Sequence, residues 1–364
     1  MVQLLSTLVT VLAAASAVEA VPTFDFGRWG NSWWHKWGKG GKHGLHTAAR
    51  AKGRYLGTAT DNIYLGDKPY VHQLRNRADF GQITPSNTLK WETIEPQQGV
   101  FNFTPGDELV NMALRNHQFV RCHTLVWHSQ LAPWVENGNI TWTNETLIDA
   151  MVSHVTKTAK HFKGRCHAWD VVNEALNDDG TYRESIFYKI IGEAYIPIAF
   201  AAAAKADPHA KLYYNDYDLE NVSNKTDGAI RLAKLVQSYG VKIDGIGMQA
   251  HQVLGRVPTF EQQKEIMAEY AKLGLESAYT ELDVRMDLPS TKEMWEEQAQ
   301  EYYNAARACV ESKGCVGITI WDWTDKYSWI PEYFPGEGEA LPWDDCLEKK
   351  PAYYGLLKGF KGRH

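Results

Sequence analysis

The chain has 364 residues, 44% of them hydrophobic and 23% charged, with a formal net charge of −6. That length is long for one sandwich and suits a single (β/α)8 barrel of about 250 residues with long loops. The acidic balance excludes binding to nucleic acid through a broad basic surface.

Residues 1–20 read as a secretory signal peptide: Leu8 to Ala17 form a short apolar run, and a small residue, Ala20, closes the segment. The run is too short to anchor the chain in a bilayer, and no other stretch reaches membrane length. Sequons at Asn102, Asn139, Asn144, Asn221 and Asn224 agree with a secreted, extracellular glycoprotein. Residues 21–43 form an arm rich in Gly and Trp (Trp29, Trp33, Trp34, Trp37) with no helical or strand period and no Cys.

From Gly44 to His364 no composition break divides the chain, so residues 44–364 read as one domain. Short apolar runs alternate with longer amphipathic ones. The strands are expected at Tyr55–Ala59, Gln82–Thr84, Phe119–Val126, Ala168–Val172, Lys211–Tyr214, Ile243–Gln249, Glu276–Leu282 and Cys315–Trp321. Helices are expected at Leu109–Asn116, Leu147–His161, Tyr195–Lys205, Gly228–Tyr239, Thr259–Leu273 and Thr291–Glu311. This alternation predicts a parallel sheet with crossover helices, closed into a barrel whose site lies where the strands end.

The strand ends carry the chemistry. Trp169-Asp170-Val171-Val172-Asn173-Glu174 delivers a carboxylate at the mouth of the fourth strand, and Thr280-Glu281-Leu282-Asp283 delivers two more at the end of the seventh. Either Glu alone reads as a solvated strand end. Two on one rim suggest an acid/base and a nucleophile. Polar and aromatic groups follow the other strands: Ser86, Asn87 and Lys90; His123, Trp127 and Gln130; Tyr217 and Asp218; Gln249 and His251; Trp321 and Trp329. The chain holds 14 Trp and 18 Tyr, and flat aromatic faces suit a polymer with flat apolar faces, such as a polysaccharide. No Cys-x-x-Cys, His-x-His or His-Glu-x-x-His pattern is present, so no metal or cofactor is expected. Of five Cys, Cys309 and Cys315 have the spacing of a small loop staple, Cys122 and Cys166 are a second candidate pair, and Cys346 is left over.

These motifs, with His123-Thr124-Leu125-Val126-Trp127-His128 and Trp321-Asp322-Trp323-Thr324-Asp325-Lys326-Tyr327-Ser328-Trp329, resemble glycoside hydrolase family 10 endo-β-1,4-xylanases of the fungal secreted type, over Gly44 to Gly359. The resemblance implies a (β/α)8 barrel that hydrolyses xylan and xylo-oligosaccharides with retention, as a monomer without cofactor. It implies Glu281 as nucleophile, Glu174 as acid/base, His251 bonded to the nucleophile, Asp283 orienting His251, and Asn173 bonded to a sugar 2-hydroxyl. Asn87, Lys90, His123, Trp127 and Gln130 are then expected on the glycone side, Trp321 and Trp329 around the scissile bond, and Tyr217 and Gln249 in the cleft. Two positions depart from the family pattern: Ser86 stands where Glu is common, and Asp218 where Asn is common. The Ser86 departure predicts a lost sugar contact and a gain of about tenfold on short substrates for Ser86→Glu. A β-1,4-glucanase and a catalytically dead sugar-binding protein are the competing readings; the second predicts loss of a carboxylate or of His251, and none is lost.

Overall fold

The computed structural model describes residues 43–136 and 140–362. The signal segment, residues 21–42 of the arm and the sequon residue Asn139 lie outside the described residues.

The strands are β1 (Tyr55–Thr60), β2 (Gln82–Pro85), β3 (Phe119–Trp127), β4 (Cys166–Asn173), β5 (Lys211–Asp216), β6 (Gly245–Met248), β7 (His251–Val253), β8 (Glu276–Asp287), β9 (Cys315–Ile320) and β10 (Glu337–Gly338). Each barrel strand pairs in parallel with the next, from β1 through β6 to β8 and β9, and β9 returns to β1. The result is a closed eight-stranded parallel barrel with helices between its strands, a (β/α)8 fold. Leu56, Val120, Val171, Leu212, Ile246, Ala278 and Ile318 are fully buried in these strands, as runs covered on both faces require.

The helices expected from the sequence are present at Thr104–Arg115, Asn144–His161, Tyr195–Ala206, Asn224–Ser238, Phe260–Lys272 and Lys292–Glu311. Three begin with reciprocal capping boxes, Thr143 with Thr146, Ser223 with Thr226 and Thr259 with Gln262. These bonds satisfy backbone donors that a helix start leaves open. The helix Pro351–Lys361 was not expected, because two glycines inside it lower its intrinsic propensity. Packing overrides propensity there: a Cβ at Gly355 would meet the Ala299 carbonyl oxygen at 2.1 Å, so glycine lets the two helices close.

Two strand ends differ from expectation, both at the rim. The run expected as Ile243–Gln249 breaks after Met248, turns through Ala250 at φ 60°, and resumes as β7. The run expected to stop at Leu282 continues to Asp287, because β7 and β10 supply partners above the barrel. Asp283 therefore lies within the strand, as Glu281 does, and not beyond its end. Barrel pairing itself stops beside them, at Leu282 opposite Ile320.

Both sequence-derived cysteine pairs are bonded, Cys122 to Cys166 and Cys309 to Cys315, and Cys346 is free and exposed.

Candidate active site

The rim is irregular where the polar residues gather. Register shifts interrupt the ladders between His123 and Val126, between Asp170 and Val172, and between Tyr279 and Leu282. Such irregularities re-aim side chains next to functional sites. Glu174, Asp218, Ala250 and Asp322 take left-handed backbone angles just after β4, β5, β6 and β9. A non-glycine residue held this way costs about 1–3 kcal/mol, so the surroundings must hold it in place. For Glu174 they do: its N–H donates to the Asn215 carbonyl at 2.9 Å, its own carbonyl accepts from Arg183 Nε at 3.0 Å, and the Ala175 N–H donates to Tyr214 Oη at 3.2 Å.

Glu281 is held from three strands. Asn215 Nδ2, from β5, donates to its Oε1 at 2.8 Å, and His251 Nε2 meets its Oε2 at 3.2 Å. His123, from β3, stands 3.9 Å from Oε1. Burial alone would raise this carboxyl's pKa; His123, His251 and Asn215 overcome that and hold it at about 2. His251 is itself fixed by Asp283, whose Oδ2 lies 2.9 Å from Nδ1 and accepts from Trp329 Nε1 at 2.9 Å. Burial opposes charge on His251, but Asp283 and Glu281 outweigh it and lift its pKa to about 10. The site thus presents an anionic Glu281 beside an imidazolium clamped between two carboxylates.

Glu174 has different company. Its Oε1 accepts from Gln249 Nε2 at 3.0 Å, and His128 lies 4.0 Å from Oε2. Its side chain is 15% exposed, against 6% for Glu281, so water reaches it more readily. Asn173 lies between the two acids. Its oxygen is read toward Asn215 Nδ2 and Gln249 Nε2, at 2.9 and 3.3 Å, because both nitrogens donate to carboxylates as well. The reverse orientation would gain a bond from Trp127 Nε1 and one donated to the Asn215 carbonyl, both at 3.2 Å, and lose those two.

A second polar group adjoins this pair. Lys90 donates to Asn87 Oδ1 at 2.8 Å and to Gln130 Oε1 at 2.5 Å, and its ammonium sits 4.8 Å above the Trp127 ring. Burial lowers its pKa to about 8 against the pull of Glu281, Glu174, Asp61 and Glu92. Trp321 packs edge-on to His123 at 5.5 Å, and Trp329 packs on His251 at 4.8 Å. Tyr217 stands at the opposite margin, donating to Asp178 at 2.8 Å and accepting from Arg183 at 3.1 Å. Every site residue expected from the sequence therefore contacts this network except the Cys309–Cys315 staple, which lies between a helix end and β9.

Asp61 was not expected. It follows β1, the strand that appeared to contribute nothing, and its Oδ2 accepts from Asn87 at 2.7 Å and from Ser86 Oγ at 3.2 Å. The Ser86 expectation meets a second carboxylate at this corner, since Ser86→Glu would set a negative charge close to Asp61. The link from Asn215 to Glu281 is likewise hidden in the sequence, since it joins residues 66 apart. Among the described residues no cluster of three or more His, Cys, Asp or Glu could hold a metal ion, and no helix is long and apolar enough to cross a membrane.

Two carboxyls in unlike surroundings on a barrel rim, with aromatic walls, are the equipment of glycoside hydrolysis. Comparison with known proteins gives the family. The signature of Glycosyl hydrolase family 10 matches residues 44–359, and the chain belongs to that family. It is 53% identical to "Endo-1,4-beta-xylanase D" of Talaromyces funiculosus over 87% of this chain and 77% of that one. It is 49% identical to "Endo-1,4-beta-xylanase" of Agaricus bisporus, over 86% of this chain and 93% of that one. Among solved structures, a GH10 xylanase from Bispora sp. MEY-1 with xylobiose superposes with a TM-score of 0.85 at 40% identity, covering 87% of this chain and 99% of that one.

Proposed function

We propose that this chain is a secreted endo-1,4-β-xylanase, acting as a monomer on internal bonds of xylan with retention of configuration. The observation that carries the mechanism is the contrast between the two acids. Glu281 is stripped of water and held anionic by His251, His123 and Asn215. Glu174 is bonded to neutral amides and is the more exposed of the two, at 15%.

In the first step the Glu281 carboxylate attacks the anomeric carbon while the bond to the leaving oxygen breaks and Glu174 gives that oxygen its proton. Glu281 is then an ester and carries no charge. Glu174, now a carboxylate, takes a proton from water; that water attacks the same carbon and releases Glu281. In this reading Asn173 bonds the sugar 2-hydroxyl, a contact that strengthens as the ring becomes oxocarbenium-like. Asn87, Lys90, His123, Trp127 and Gln130 line the glycone side in this reading, Trp321 and Trp329 enclose the scissile bond, and Tyr217 and Gln249 line the cleft. Residues 1–20 act as the export signal and 21–43 as an arm ahead of the catalytic domain.

Reducing-sugar release from xylan but not from cellulose is the expected activity. Glu281→Ala abolishes turnover on every substrate. Glu174→Ala damages xylan hydrolysis far more than that of an activated aryl xylobioside, whose leaving group needs little proton assistance. Equal losses on both substrates would refute the assignment of roles.

A further inference from the structure

A second groove lies on the same end of the barrel, lined by Glu95, Gln98 and Gly99 after β2, by Trp134 and residues 140–142 after β3, and by the first half of the helix Asn144–His161. Its volume is about 430 Å³, within the range of about 300–1,000 Å³ that small-molecule sites occupy. None of its lining residues belongs to the two-carboxylate network described above.

Two indoles make its walls. Trp134 and Trp142 are half-buried, with ring centroids 6.0 Å apart and planes inclined at 55°. Each is pinned by its ring nitrogen: Trp134 donates to the Glu95 carbonyl at 2.8 Å and Trp142 to the Val135 carbonyl at 3.0 Å. A pinned indole loses little rotamer freedom when a ligand stacks on its exposed face. Gln98, Thr141, Asp149 and Ser153 add polar groups at the margin.

The charges select the ligand. Among the described residues no Lys, Arg or His lines the groove. The Glu95 carboxylate is already bonded to the Gly99 N–H at 2.8 Å and to His154 at 2.9 Å, and among the described lining residues Asp149 is the other charge. Such a surface repels phosphates and acidic sugars and offers a neutral polyol aromatic faces with hydroxyl partners. We propose that this groove is a non-catalytic binding site for an undecorated β-1,4-xylan chain. It rests on the xylanase reading of the cleft, since that reading supplies the neutral polymer. Two sites on one barrel end hold one polymer at two points, which raises its local concentration at the cleft.

The test uses the full chain. Retention of the Glu281→Ala protein by insoluble xylan is compared with and without Trp142→Ala; the second change is expected to weaken retention about tenfold. With Glu281 intact, Trp142→Ala leaves kcat/KM on xylotetraose unchanged within about twofold. Ala150→Gln, which fills the groove from the helix without removing a wall, gives the same pair of results and guards against misfolding. Undiminished retention in both variants would overturn the proposal, as would a loss of kcat/KM that matches the loss of retention. Equal retention of the parent on cellulose would overturn the commitment to xylan. Failure of the xylanase reading shows elsewhere, as absence of sugar release from xylan by the unmodified chain.

Discussion

Asp283 lies behind His251 and Trp329, and its charge bears on both His251 and Glu281. Its Oδ2 receives His251 and Trp329, and it is fully buried. Asp283→Asn keeps the shape and removes the charge. His251 then loses the largest influence holding it protonated, and Glu281 loses part of its cationic partner, so the first pKa falls from about 10 and the second rises from about 2. The expected result is a loss of about 10- to 100-fold in kcat/KM, with the acid limb of the pH profile moved upward. An unchanged limb would show that Asp283 only packs. The same pair bears on stability. The His251 contribution, its folded pKa raised, is present below about 6.5 and fades as pH rises through about 10. The Glu281 contribution, its folded pKa depressed, is present above about 4.5 and fades as pH falls through about 2. Both are therefore in force between those ranges.

The elements explain which parts of the site could be read from the chain alone. Glu174 and Asn173 were legible because a β-branched run and a turn-rich segment bracket them. The helices with reciprocal caps were legible for the same local reason. Asp61 was not: it follows β1 by one residue, and only the fold brings it to Ser86 and Asn87. The continuation of β8 past Leu282 was equally hidden, since its partners β7 and β10 come from distant segments. Gly247 belongs to the same category. A glycine inside a strand reads as a weak point, but here a Cβ would lie 2.2 Å from Asn215 Oδ1. Asn215 is locked by Thr280 Oγ1 at 2.6 Å and holds Glu281 in turn. Gly247→Ala must push Asn215 away, so turnover should fall by more than tenfold while the protein remains folded. Steady-state kinetics beside circular dichroism decides it; full activity would mean that β6 shifts and the Asn215 contact is dispensable.

At the scale of the whole molecule, the two disulfides constrain very different lengths of chain. Cys309 and Cys315 close a loop between residues 6 apart, and Cys122 and Cys166 one between residues 44 apart. In the chain-entropy account the short loop contributes about 2–3 kcal/mol and the long one about 4 kcal/mol. The long one also ties neighbouring barrel strands together, joining Cys122, next to His123 in β3, to Cys166 at the start of β4. Its loss should therefore act on activity as well as on stability, because His123 helps to keep Glu281 anionic. The staple joins a helix end to the start of β9, away from the carboxylates, and its loss should leave kcat untouched. Paired Cys→Ala replacements at each site, compared by urea midpoints and by xylan turnover, separate the two roles. The expected order is a larger fall in midpoint for Cys122→Ala with Cys166→Ala, accompanied by reduced turnover. A reversed order would show that packing within the folded barrel, where all four sulfurs are buried, outweighs the restriction of the unfolded chain.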